Sequence, residues 1–167
     1  MTLWDLKERL ESLTTGKAFE KEMWRYMQSE LTGVLLYYQN QQLFKMSVGA
    51  DKHPLGFYKS ARNVMKKYGV SIKKAHDPGT SYPFKMVETG SFKRGMRVIV
   101  DRRSKTIDFT SNTPHLQEML SNINNQFMTT NFFGLIWKHQ TNFVNLHVKP
   151  HMLVWNIRYL NTGKVSR

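Results

Sequence analysis

Apolar side chains recur every three or four positions through the first 45 residues and every second position across Met96–Ser111, and this change of period sets the fold class. Leu3, Leu6, Leu10 and Leu13 predict a short helix over Leu3–Leu13, ended by Thr14-Thr15-Gly16. Phe19, Met23, Met27, Leu31 and Val34/Leu35 form the stripe of a longer helix, Phe19–Lys45, with Glu20, Glu22, Arg25 and Glu30 on its other face. Gly33 weakens continuity at its centre. Further on, Met96, Val98 and Val100 alternate with Arg97, Ile99 and Asp101. Ser104-Lys105 then turns the chain and Ile107–Ser111 returns, the pattern of a β-hairpin. The expected fold is α+β, several helices packed on a small antiparallel β-hairpin.

Between these signals, Ser47–Gly56 reads as a loop and Phe57–Tyr68 as a helix closed by Gly69. Lys66 and Lys67 lie in the last turn of that helix, where cations complement the negative end of its dipole. Val70–Lys73 is expected to be extended and to lead into an exposed loop at His76-Asp77-Pro78-Gly79. Thr113-Pro114 starts another helix, carrying Leu116, Met119, Leu120 and Ile123 inward and ending in the polar Asn122–Asn125 stretch. Trp137–Val148 is helical through Trp137, Thr141, Val144 and Val148, and Pro150 separates it from His151–Leu160. That last segment is read as helix, although Leu153, Trp155, Ile157 and Tyr159 also alternate as in a strand. No linker or repeat divides the chain, so one domain, 1–167, is expected: N-terminal helices over 1–46, a basic loop, helix and hairpin region over 47–112, and a C-terminal helical region over 113–167.

The 167 residues include 10 Phe, 7 Tyr and 4 Trp, bulk enough for a core, and no cysteine. Disulfides, thiolate metal sites and thiol nucleophiles are thereby excluded. The first residues, Met-Thr-Leu-Trp-Asp-Leu-Lys, are charged from Asp5 onward and are not expected to form a signal peptide. The longest apolar run, Leu31–Tyr38, is far short of the roughly 20 residues that span a bilayer, so no membrane partner is expected. Net charge is +13 and unevenly placed. Residues 1–51 carry 6 basic and 7 acidic side chains, residues 52–105 carry 14 and 3, and residues 106–167 carry 5 and 2. A basic region of that kind favours nucleic acid, an acidic protein surface or anionic lipid, or simply keeps the protein soluble.

Catalytic patterns are not found. His147 and His151 stand four apart, but Pro150 falls between them and no carboxylate lies within ten residues of either. With His139 they read as ordinary histidines rather than metal ligands. Asp101 and Asp108 flank the hairpin turn and are the residues a Mg²⁺-dependent nuclease would use, yet such a site needs two or three convergent carboxylates. Pairing with Arg102, Arg103 or Lys105 explains them as well. No nucleophile elbow, phosphate loop or dinucleotide fingerprint occurs. The expectation is a protein without enzymatic activity, metal or cofactor. Nucleic-acid binding has more support: Lys66, Lys67, Lys73, Lys74, Lys93, Arg94, Arg97, Arg102 and Arg103 are interleaved with Tyr82, Phe84 and Phe92, which either stack on bases or belong to the core.

Two stretches carry a resemblance. Tyr38-Gln39-Asn40-Gln41-Gln42-Leu43, then Gly49-Ala50-Asp51 and Leu55-Gly56-Phe57-Tyr58, resemble a helix end and loop in structural proteins of tailed bacteriophages. Glu88-Thr89-Gly90-Ser91-Phe92, followed by Gly95-Met96-Arg97-Val98 and a hairpin ending at Ser111, is similar to an acidic-Thr-Gly-x-Phe motif in the same proteins, as is Phe133-Gly134-Leu135. More distantly, the chain resembles neck and tail-completion (head–tail connector) proteins. The resemblance covers residues 37–160; His53 and Pro54 depart from it, and Asn122–Asn131 has no counterpart. It implies assembly rather than catalysis: a virion protein, put together in the host cytoplasm as a homo-oligomeric ring. Its expected neighbours are portal, neck or tail components, and its basic face would meet DNA or acidic protein. Thr89 and Gly90 are the expected structural turn, threonine capping and glycine allowing a backbone angle that alanine resists.

Overall fold

The structure is a computed structural model, and it describes residues 3–53, 55, 61–75, 91–114, 116 and 133–163. The fold is α+β: helices accompany one two-stranded antiparallel hairpin among the described residues. Helix α1 (Leu3–Thr14) forms as its leucine spacing predicts and stops at Gly16, whose φ of 73° is the left-handed value that favours glycine. Its expected apolar stripe is only partly inward, because Leu10 stays 47% exposed.

The long second helix is continuous through Gly33 but is not α-helical throughout. It comprises α2 (Lys17–Tyr26), a π-turn (Met27–Leu31), α3 (Thr32–Asn40) and a second π-turn (Gln41–Met46). Its buried positions explain the first interruption: Ala18, Glu22, Met27, Leu31 and Leu35 are four residues apart except for the five-residue step from Glu22 to Met27. From Glu22 to Leu31 that makes nine residues where two α-helical steps make eight, and the π-turn Met27–Leu31 absorbs the extra one. Glu22, expected on the solvent face, is instead fully buried at 0% exposure.

Helix α4 (Ala61–Tyr68) buries Val64 and ends at Gly69, φ 66°, where a terminating glycine was expected. The segment expected to be extended over Val70–Lys73 is a helical turn, α5 (Ile72–Ala75). The reason is local: Ser71 presents its hydroxyl to the Lys74 N–H at 3.4 Å and its carbonyl to the Ala75 N–H at 2.9 Å, so it caps a turn. A short helix, α6 (Ser91–Gly95), then feeds the hairpin β1 (Met96–Asp101) and β2 (Thr106–Ser111). The alternation in β1 holds, with Met96 and Val100 buried and Arg97 and Ile99 exposed. The connection is four residues, Arg102–Lys105, rather than two, and closes with Lys105 at φ 58°. Thr89 and Gly90 lie outside the described residues, as do His76–Gly79, most of the helix expected after Thr113, and Asn122–Asn131.

Pro150 does not separate two helices. Helix α7 (Trp137–Phe143), a π-turn (Val144–Val148) and α8 (Lys149–Thr162) run on, and the expected helical reading of His151–Leu160 holds. The Lys149 N–H bonds the Val144 carbonyl five residues back, so the ladder has already changed register where proline lacks a donor. Trp137 and Val144, expected inward, are exposed; the buried face is His139, Phe143, Val148, Met152, Trp155 and Tyr159. Here the five-residue step, Phe143 to Val148, falls on the π-turn itself.

The chain packs as two compact units, each made of separated stretches. The first comprises residues 1–35, 98–108 and 137–167. In it the Arg9 guanidinium donates to the Leu160 carbonyl at 2.9 Å, tying α1 to the end of α8. The second comprises residues 36–97 and 109–136. Its core is Leu43, Leu55, Phe92 and Met96, with Leu36, Phe44, Leu116 and Phe133 packed against them. There Gly95 lies so close to the end of β2 that a methyl group on it would stand 2.8 Å from Ser111 Oγ and 3.2 Å from the Thr113 nitrogen. Ser111 Oγ is held by its bond to the Phe92 carbonyl. Gly95→Ala is expected to cost about 1–3 kcal/mol by overpacking, read from urea denaturation. A variant as stable as the wild type would contradict this packing.

Candidate nucleic-acid interface

In the first unit a cleft of about 670 Å³ lies between one face of α2, continued into the π-turn, and the hairpin connection. Lys17, Glu20, Lys21, Trp24 and Gln28 line one side; Asp101, Arg102, Arg103 and Lys105 line the other. The helical residues share a face because they are three, four or seven positions apart. Two contacts set the width. Gln28 Nε2 donates to the Val100 carbonyl at 3.1 Å, and Lys105 Nζ pairs with Glu20 at 2.7 Å.

Five cations therefore face two carboxylates, a balance of +3, and neither carboxylate is idle. Glu20 is engaged by Lys105. Asp101 organises the hairpin connection: its Oδ1 accepts the Arg103 N–H at 2.8 Å and its Oδ2 accepts the Ser104 hydroxyl at 2.8 Å. Those bonds hold the Asp101 carboxyl below its ordinary range, the Arg103 N–H contributing most. Asp101 thus organises the turn. Among the described residues no group of three or more His, Asp or Glu side chains stands where it could hold a metal.

The basic residues singled out in the sequence do not form one constellation. Lys66 on α4, Lys73 and Lys74 on α5, Lys93 and Arg94 on α6, and Arg97 on β1 are exposed and belong to the second unit. Lys93 Nζ lies over the Phe44 ring, 5.5 Å from its centroid. Lys67 lies in α4, and its side chain is outside the described residues. Arg102 and Arg103 belong to the first unit, where the fold sets them beside Lys17 and Lys21. Those two lysines and Trp24 come from a stretch whose charges nearly cancel along the chain. Their signal is the interval of four and then three between Lys17, Lys21 and Trp24. Phe92, weighed above as a base-stacking residue, is core at 4% exposure.

A second polar cluster is closed. Glu22 accepts two bonds from Arg25, at 2.7 and 2.8 Å, and a third from His151 Nε2 at 3.0 Å. The His151 ring stacks on Tyr26, centroids 3.5 Å apart and planes 4° from parallel. Burial raises the Glu22 pKa, but the bonds and charges of Arg25 and His151 outweigh it and leave the carboxyl below its ordinary value. The carboxylate absent from the sequence neighbourhood of His151 is thus supplied across the fold, and it is used internally. On the outer surface of α8 and the preceding π-turn, Leu146, Leu153 and Ile157 recur at intervals of seven and four and are exposed, with Val154 beside them. Among the described residues no helix is long and apolar enough to cross a membrane. Comparison with known protein families, with curated proteins and with solved structures finds no match to this chain.

Proposed function

We propose that this protein is a non-enzymatic structural component that contacts nucleic acid through the cleft between α2 and the hairpin connection. The observation that carries the reading is the cleft itself: five cations on two elements, of which Lys105 pairs with Glu20 and four more face the space, while Asp101 is taken up by the hairpin connection. Fixed cations beside a groove attract a polyanion and release its counterions on binding. The resemblance of residues 37–160 to tailed-phage structural proteins supports a setting in the neck or tail of a virion. The protein would there form a ring with portal, neck or tail components beside the DNA path. The exposed apolar side chains Leu146, Leu153, Val154 and Ile157 support assembly with protein neighbours.

The binding half is tested by fluorescence anisotropy with a labelled oligonucleotide across a salt series. Affinity is expected to fall steeply with salt. Arg102→Glu/Arg103→Glu is expected to weaken binding about tenfold and to reduce the log–log salt slope by about 1.4 on a single strand, the loss of two phosphate contacts. No binding at low salt would end the reading. The assembly half predicts a multimer in light scattering and the protein in purified particles. A strict monomer absent from particles would sink it.

A further inference from the structure

We infer that the cleft is built for single-stranded nucleic acid, with the Trp24 indole as the platform for an unpaired base and Lys17, Lys21, Arg102 and Arg103 on the flanking phosphates. This rests on the nucleic-acid reading above and specifies its ligand. Trp24 is the starting point because it is misplaced for a core residue. The buried face of α2 is marked by Ala18 and Glu22, and at 100° per residue Trp24 points well away from it, on the side of Lys17, Lys21 and Gln28. The chain has other tryptophans, and their surroundings differ. Trp155 is core at 3% exposure and stacks on Tyr159, Trp4 is 65% exposed with Lys7 over its ring, and Trp137 is 69% exposed. Trp24 is half-buried and lines a cation-lined concavity.

Shape decides between single strand and duplex. From Lys17 to Gln28 the wall spans twelve residues, eleven rises of about 1.5 Å or roughly 16 Å. A space of about 670 Å³ is the size of a pocket that takes a small organic group. A duplex keeps its base faces stacked on one another and offers a convex line of phosphates, so an indole inside a concavity gains nothing from it. An unpaired base has a free π-face to lay on the indole while its backbone runs between cations on two walls, a combination that is tolerant of sequence. Gln28 and the Lys105–Glu20 pair hold the walls apart, so the platform is in place before the ligand arrives.

The test compares a labelled 12-nucleotide oligo(dT) with a duplex of the same length, using anisotropy and tryptophan emission. The wild type is expected to prefer the single strand and to show quenched emission on binding it. Trp24→Ala is expected to lose about 5- to 150-fold in single-strand affinity, with the salt slope and the duplex affinity unchanged. Trp24→Phe, a smaller aromatic that preserves packing, is expected to keep most of the affinity and to lose the quench. Single-strand affinity within twofold of wild type in Trp24→Ala, or equal losses for single strand and duplex, would overturn the inference while leaving the cationic cleft as a nucleic-acid contact. Binding of neither probe would remove both.

Discussion

Gln42→Leu is expected to destabilise the second unit by about 4 kcal/mol, although leucine matches glutamine in size and leaves no large cavity. Gln42 is fully buried, and both ends of its amide are used. Oε1 accepts the Ile136 N–H at 2.8 Å, and Nε2 donates to the Gly134 carbonyl at 3.0 Å. Gln39, also fully buried, accepts the Gly134 N–H at 3.0 Å. Two glutamines on one helical stretch thus stand in for a neighbouring strand, satisfying a backbone segment that has no ladder of its own. Leucine at 42 strands one donor and one acceptor away from water, at about 1–3 kcal/mol each. Gln39→Leu strands a single donor but also removes the Gln39 Nε2, which is buried without a hydrogen-bond partner, so it is expected to cost well under half as much, about 1 kcal/mol or less. Urea denaturation gives the magnitudes, and amide exchange should quicken at Ile136 and Gly134 first. A Gln42→Leu protein within 1 kcal/mol of the wild type would show that this segment finds other partners.

The buried glutamines mark where the sequence stops being legible. The hairpin, α1 and the long helix follow from apolar period, and the ends of α1 and α4 from Gly16 and Gly69, because those signals act within a few residues; the pattern across α8 fits a strand as well as a helix. What fails is any inference that assumes one period along a helix or one fate for a residue type. Glu22→Met27 and Phe143→Val148 are five-residue steps, which a strict 3.6-residue reading treats as a change of face. In the fold a π-turn, directly after the first step and across the second, keeps the face. Pro150 reads as a break for the same reason. The charged cleft fails differently. Summing charge along the chain finds Arg102 and Arg103 but passes over Lys17 and Lys21, because Glu20, Glu22 and Glu30 cancel them in the count. In space Glu20 belongs to Lys105 and Glu22 to Arg25 and His151, so the lysines are left facing the cleft. Cancellation along a sequence is not neutralisation at a surface.

The same pairing sets the second large effect. Arg25→Met is expected to cost about 3 kcal/mol at neutral pH, since it leaves the Glu22 carboxylate buried with only His151 to compensate it. Glu22→Gln is expected to cost less, about 1–2 kcal/mol: the amide oxygen still accepts a bond, and the partly exposed Arg25 can reach water. Combining the two changes should give a protein more stable than Arg25→Met alone, because the stranded charge is then gone. Acid titration separates this account from simple loss of packing. The Glu22 carboxyl sits below its ordinary 4.5 in the fold, so the unfolded chain takes up that proton first as pH falls. Its contribution is complete above the ordinary value and is lost as pH drops through the lower folded value. Wild-type stability should therefore fall more steeply than that of Glu22→Gln below about pH 4.5. In Arg25→Met the desolvated carboxyl loses the partner that held it down, so its proton uptake moves to higher pH and the acid-side loss from this group shrinks or reverses. Parallel pH–stability curves for the wild type and Glu22→Gln would mean that the Glu22–Arg25–His151 cluster does not hold its charge.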